Sequence, residues 1–267
     1  MIKLTEADRA RIFDYIAPEP EVNLFIFGDI ENFGVDGGPV EVFASADGDA
    51  WNCILLKFYD LYILYSQRED YPVEEVAAFL HGKEVECLSG KTNLVRRLAP
   101  FFPDKRATST YMSRLTRLTA GFLRPLPDGA ELKRLPPEFS GDVAKLLSGI
   151  EEFADSYRGE NAVERGAGRI RENLEHGGIL YGVYVGDLLV ATANTTAANS
   201  QSAMVVAVAT LPGHRGNGYA SHAVAKLCAE NFAEGKRFLC LFYDNPDAGR
   251  IYRRLGFETV GEYAMLR

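Results

Sequence analysis

Arg215, Gly216, Asn217, Gly218, Tyr219 and Ala220 are the residues of this chain best suited to hold an anion. They follow an apolar, β-branched run, MVVAVAT, that ends at Thr210. They lead into YASHAVAKLCAENF, where Ala220, Ala223, Val224, Leu227, Cys228 and Asn231 recur at the spacing of one helical face. The predicted order is strand, glycine turn, helix. Such a turn aims the free N–H groups of a first helical turn, with the positive end of the helix dipole, at one point. A pyrophosphate suits that point. Glycine at 216 and 218 lets the backbone approach it, where a Cβ would hold the phosphate away. A tight turn in which the glycines serve only conformation has the same local pattern.

The residues around this turn supply the rest of a pattern. Arg215, Gly218 and Ala220 fill [R/Q]-x-x-G-x-[G/A], and Asn245 to Phe257 read N-P-D-A-G-R-I-Y-R-R-L-G-F. In these two blocks, in this order, the chain resembles the GNAT superfamily of acyl-CoA N-acyltransferases. The second block is similar to that family's N-x-x-A-x-x-[L/I]-Y-x-x-x-G-F.

The resemblance implies acyl transfer from acyl-CoA to an amine in one ternary complex, with acetyl-CoA as the commonest donor. It implies that Gly216, Asn217, Gly218, Tyr219, Ala220 and Ser221, with Arg215, hold the pyrophosphate. Val208, Ala209 and Thr210 would pair with the pantetheine amides as a pseudo-strand, and Asn245 would reach the cofactor arm. Tyr252 takes the family's tyrosine position, where it would protonate the leaving thiolate. Ala248, Ile251, Tyr252 and Leu255 also form one helical face, so a core aromatic is the other reading of Tyr252.

Many relatives carry a glutamate on the strand before the turn as general base. Here that strand, SAMVVAVAT, has no carboxylate. The candidates instead lie in 151–164: Glu151, Glu152, Asp155, Glu160 and Glu164, with Glu152 our choice. A solvated acidic loop and a water chain are the other readings. So many carboxylates point weakly to a cationic acceptor.

Around the motifs, ELKRL (131–135) reads as a strand, and 138–150 and 162–176 as helices. ILYGVYV and LLVATANT form a hairpin at Gly186-Asp187. FLCLFY, a helix at 247–255 and a final strand, FETVGEYAML, complete the GNAT order over about 122–267. The segment 120–131 holds two prolines and two glycines and marks the boundary. Before it, MIKLTEADRARIF reads as an amphipathic helix and 23–33 as another. Three strands follow, then helix, strand (83–89), helix (91–102) and strand (105–118). That order matches the second half. The expected fold is α/β with a mixed sheet, in tandem GNAT-like domains. Residues 1–120 would be a degenerate domain without a cofactor site and 121–267 the full acyl-CoA N-acyltransferase fold. The loop SQREDYP (66–72), at the place of the glycine turn, has no glycine and two acidic residues.

Two look-alikes fail. SGKT (89–92) lacks the glycine that a P-loop needs at 85, where Val85 stands, so Ser89 reads as a helix N-cap. RGAG (165–168) follows helical sequence and reads as a flexible or kinked helix.

Composition bounds the partners. A net charge of −8, with 47% hydrophobic residues, describes a globular acidic chain and argues against nucleic acid. No apolar run approaches the ~20 residues of a membrane span. Four scattered cysteines and four scattered histidines have no metal-ligand spacing, so reduced thiols in a cytoplasm and no metal are expected. The acceptor stays open between a small-molecule and a peptide amine, as do the acyl length and the oligomeric state, a homodimer included. A non-catalytic acyl-CoA sensor or assembly subunit is the rival function.

Overall fold

The structure is a computed structural model and describes residues 1–121 and 125–267. Part of the proposed boundary, 122–124, lies outside the described residues. Close packing divides the chain into two units, Met1–Met112 with Thr259–Arg267, and Ser113–Glu258.

In the first unit β1 (Ile2–Lys3) precedes α1 (Arg9–Ile16) and α2 (Leu24–Phe33). Then come β2 (Val40–Asp47), β3 (Ala50–Phe58), β4 (Leu61–Tyr65), α3 (Val73–Leu80), β5 (Cys87–Lys91), α4 (Thr92–Leu98) and most of β6 (Ala107–Leu115). The opening residues differ from the expected helix. Ile2 and Lys3 pair with Ala44 and Phe43, and the helical turns start only at Glu6. Pairing along β2 competes with helix there, and Thr5 and Asp8 close a capping box that fixes where helix begins. Ser89 is also not an N-cap: it lies inside β5, and Lys91 precedes the first helical residue, Thr92.

Period-two alternation sorts the strands' side chains onto two faces. Val40, Val42, Ala44, Ile54 and Leu56 meet Ile12, Ile16, Ile26 and Ile30 of α1 and α2. Leu55, Tyr62, Leu64 and Leu88 meet Val76, Leu80, Leu94 and Leu98 of α3 and α4. β4 and β5 pair in parallel from Leu61/Cys87 to Leu64/Gly90, almost to the ends of both strands.

The second unit runs β7 (Ala130–Arg134), α5 (Ser140–Ser148), α6 (Ala162–Glu175), β8 (Leu180–Val185), β9 (Leu188–Thr196), β10 (Ser202–Thr210), α7 (Tyr219–Ala233), β11 (Phe238–Tyr243) and α8 (Pro246–Leu255). Its strand order is β11-β10-β9-β8-β7, antiparallel except for β10 and β11. Val143, Leu147, Ile170, Leu180 and Leu189 form one core beneath α5 and α6. Val183, Val205, Leu227, Leu239 and Leu255 form the other beneath α7 and α8. α6 is one continuous helix through RGAG, with Gly166 buried against the Tyr157 ring, so the expected flexible segment is regular helix.

The last strand, β12 (Glu258–Leu266), belongs almost wholly to the first unit, between β5 and β6. It pairs with β5 from Tyr263/Lys91 to Leu266/Leu88, and Ala264 and Leu266 join the core beneath α3 and α4. The sequence reading puts this strand with 121–267. Its alternating apolar residues fit either partner, and long-range pairing decides. Leu266→Ala should therefore destabilise the chain by about 2–5 kcal/mol in urea unfolding, the usual cost of a core leucine. A loss below about 1 kcal/mol would contradict its place in that core.

Candidate active site

β10 and β11 pair at Ser202/Phe238, Ala203/Leu239 and Met204/Cys240, and no further. β11 runs on to Tyr243 and β10 to Thr210. On its other side β10 slips register against β9 between Val206 and Ala209, and Ala207 sits at φ 51°. This is a bulge, which bends a strand and ends regular pairing. A cavity of about 620 Å³ opens between the parted strands. Val208, Ala209 and Thr210 line one side, and Phe242, Tyr243, Asp244 and Asn245 the other.

The glycine turn forms part of the cavity wall. A 3-10 turn, Pro212–His214, follows β10, and α7 starts at Tyr219 with Gly218 as its N-cap. Gly216 and Gly218 stand at φ 86° and 78°, the left-handed region that other residues avoid. An added Cβ meets nothing within 4 Å at Gly216, and only His222 Cδ2, at 4.0 Å, at Gly218. The glycines are thus required by conformation, and the space they face is open. Tyr219, Ala220 and Ser221 line the cavity at the first turn of α7, where N–H groups have no acceptor within the helix. No acidic residue stands in that turn. Asn217 is outside the lining; its carboxamide donates to the His214 carbonyl at 3.1 Å and braces the loop.

Arg215 folds back over the entrance. Its Nε donates to the Thr210 carbonyl at 3.2 Å, and Nη2 lies 3.0 Å from Glu152 Oε1. Glu152 belongs to a 3-10 run, Glu151–Tyr157, and also lines the cavity. A backbone N–H and the Arg215 guanidinium hold its carboxyl below the usual glutamate range. That makes it a weaker base than an ordinary glutamate. Both side chains are about half exposed, 49% and 47%, so water screens the pair. The other four acidic candidates, Glu151, Asp155, Glu160 and Glu164, are exposed and outside the lining, and Asp155 pairs with Arg158 at 2.6 Å.

The opposite wall is aromatic and helical. Asn245, in extended conformation before Pro246, caps α8: its Oδ1 accepts the Asp247 N–H at 2.9 Å. Tyr252 is 7% exposed, with ring centroids 5.9 Å from both Tyr243 and Phe257. It is therefore a core aromatic and a cavity residue together. Burial pushes its phenol up to about 12, so the proton stays on through the neutral range.

Sequence reasoning missed the bulge at Ala207, because alanine carries no signal for positive φ. It also missed Phe242, Tyr243 and Asp244 as wall residues. Their place next to Asn245, at the end of a strand, was the available clue. Among the described residues no helix is long and apolar enough to cross a membrane, and no group of three metal-ligating side chains comes together.

Residues 147–257 match the model described as Acetyltransferase (GNAT) family. A GCN5-related N-acetyltransferase-like protein from Streptococcus suis shares the fold with a TM-score of 0.60 at 14% identity, over 99% of each chain. A Drosophila protein gives 0.71 at 12% identity, over 100% of this chain and 98% of that one. A tandem GNAT protein from the clavulanic acid biosynthesis pathway gives 0.62 at 13%, over 99% and 96%. Identities this low speak to fold alone. No curated protein matches. The parted strands, the glycine turn and the matched stretch agree, and residues 147–257 are a domain of the GNAT acetyltransferase family, in a chain with the mixed α/β fold of a tandem GNAT protein.

Proposed function

We propose that the protein is an N-acetyltransferase that moves an acetyl group from acetyl-CoA to a primary amine by direct transfer in a ternary complex. The observation that carries this reading is the cavity between β10 and β11, with the first turn of α7 in its wall. Beyond Met204 the β10 edge has no β11 partner, so its peptide groups at Val208 to Thr210 can pair with the amides of a pantetheine arm. Amide protons from Gly216 to Ser221 suit a diphosphate. Arg215, within reach of the same loop, adds a formal charge.

Acetyl-CoA supplies an activated acyl group on sulfur. Tyr252 holds a proton that the departing thiolate needs, and its raised pKa keeps that proton available. Asn245 steadies the wall beside it through the α8 cap. Glu152 takes the proton of the attacking amine once Arg215 turns from it to the diphosphate. Released from the guanidinium, its carboxyl rises toward its ordinary value and becomes the better base. The acceptor is a small-molecule or peptide amine. The free thiols of Cys53 and Cys228, both buried, suit a reducing compartment, the cytoplasm.

We assign no cofactor to residues 1–120. There β4 and β5 stay paired through Leu64/Gly90, which leaves no gap like that between β10 and β11. The paired, weakly basic Glu152 favours one other reading, a protein that binds acyl-CoA without turning it over. Thiol release from acetyl-CoA with a panel of amines separates the two. Tight binding with no release on any amine favours the sensor.

Coenzyme A at about 100 times its dissociation constant should stabilise the protein by about 2.7 kcal/mol, read as a raised melting temperature. Gly218→Val, which forces a β-branched residue to φ 78°, should abolish the shift. Tyr252→Phe should lower kcat about 10-fold or more with little change in KM for acetyl-CoA. Unchanged turnover removes Tyr252 from the mechanism. In carboxyl-carbon NMR of the free protein Glu152 should titrate below the ordinary glutamate value, and Arg215→Ala should move it up. The pair thus supports the native state above that ordinary value, and its contribution fades as acid titrates the carboxyl through its lower native value.

A further inference from the structure

Gly249 is the fourth residue of α8, inside the helix, where glycine costs about 1 kcal/mol relative to alanine. Its φ is not left-handed, so no turn or cap requires it. It is buried, and its N–H donates to the Asn245 carbonyl at 3.0 Å, as in any helix. What it lacks is room. A Cβ built on Gly249 would lie 2.5 Å from Tyr243 Cε2 and 3.1 Å from both Cδ2 and Cζ. The Tyr243 ring therefore lies directly on the helix backbone.

That ring has a second neighbour. Gly249 and Tyr252 are three residues apart and so share one face of α8. The Tyr243 centroid is 5.9 Å from that of Tyr252, with the planes inclined at 57°. Phe257 packs on Tyr252 at 5.9 Å and 64°. Both separations fall in the range of favourable tilted aromatic pairs. Tyr243 and Tyr252 both line the cavity, so the ring on Gly249 is also a wall beside the phenol.

We propose that Gly249 is a positioning residue for proton transfer: its bare backbone seats the Tyr243 ring, which with Phe257 fixes the Tyr252 phenol at the cavity. The inference rests on the reading of Tyr252 as the acid. Proton transfer tolerates little error in heavy-atom separation, and a displacement of about 1 Å is enough to cost up to 100-fold in rate. An alanine methyl at 249 must push the Tyr243 ring by several tenths of an ångström, and Tyr252 is the ring's next contact.

The test is a double-mutant cycle on turnover with an amine that the wild-type enzyme accepts. Gly249→Ala should lower kcat about 10-fold and leave KM for acetyl-CoA within about twofold, with the stabilisation by coenzyme A retained. In a Tyr252→Phe background the same change should alter kcat by less than about twofold, because the group it positions is already gone. If Tyr252→Phe impairs turnover and Gly249→Ala does not, or if Gly249→Ala costs as much in both backgrounds, the inference fails and the acid role stands. If Tyr252→Phe leaves turnover unchanged, the acid role and the inference fall together. Should Gly249→Ala fail to fold, Tyr243→Leu removes the ring from the other side. It should show the same loss of kcat, the same KM and the same dependence on Tyr252; full activity in that variant overturns the inference.

Discussion

The site depends on an interruption in pairing. A parallel strand pair inside a sheet normally exchanges hydrogen bonds along its full length, because unpaired buried peptide groups are costly. β10 and β11 stop after Met204/Cys240, and the bulge at Ala207 turns the end of β10 away. Two peptide edges are left facing a cavity. The first turn of α7, the Arg215 side chain and the aromatic wall of α8 are arranged around that gap.

The first unit makes the point by contrast. Its helix and strand order parallels the second, yet β4 and β5 stay paired to Leu64/Gly90. The layered scaffold is kept, and the corresponding strands stay paired. The halves thus differ in the pairing of two adjacent strands and in the glycine content of the loop that follows.

What was legible in the sequence follows from which residues encode geometry locally. Gly216 and Gly218 announce positive φ, and the periodicity after them announces α7, so the turn could be placed to within a residue. The strands of both halves could be read from alternation and β-branching. Ala207 could not: its φ of 51° is imposed by register with β9, and nothing in an alanine signals it. The first residues of the chain were misread because pairing with β2 outcompetes a local helical pattern. Glu152 was separable from its four acidic neighbours only through Arg215, which is 63 residues away in sequence. Contacts of that range leave no local trace.

The placement of β12 bears on how the chain comes to be folded. The first unit is synthesised first, but its sheet stays short of one strand, and its α3/α4 core short of Ala264 and Leu266, until everything through α8 has been made. Through that interval the facing edges of β5 and β6 await a partner from the opposite end of the polypeptide, the kind of open edge that invites aggregation. Cutting the chain at the apparent midpoint would leave that vacancy permanent in the first unit and leave β12, on the other piece, without β5.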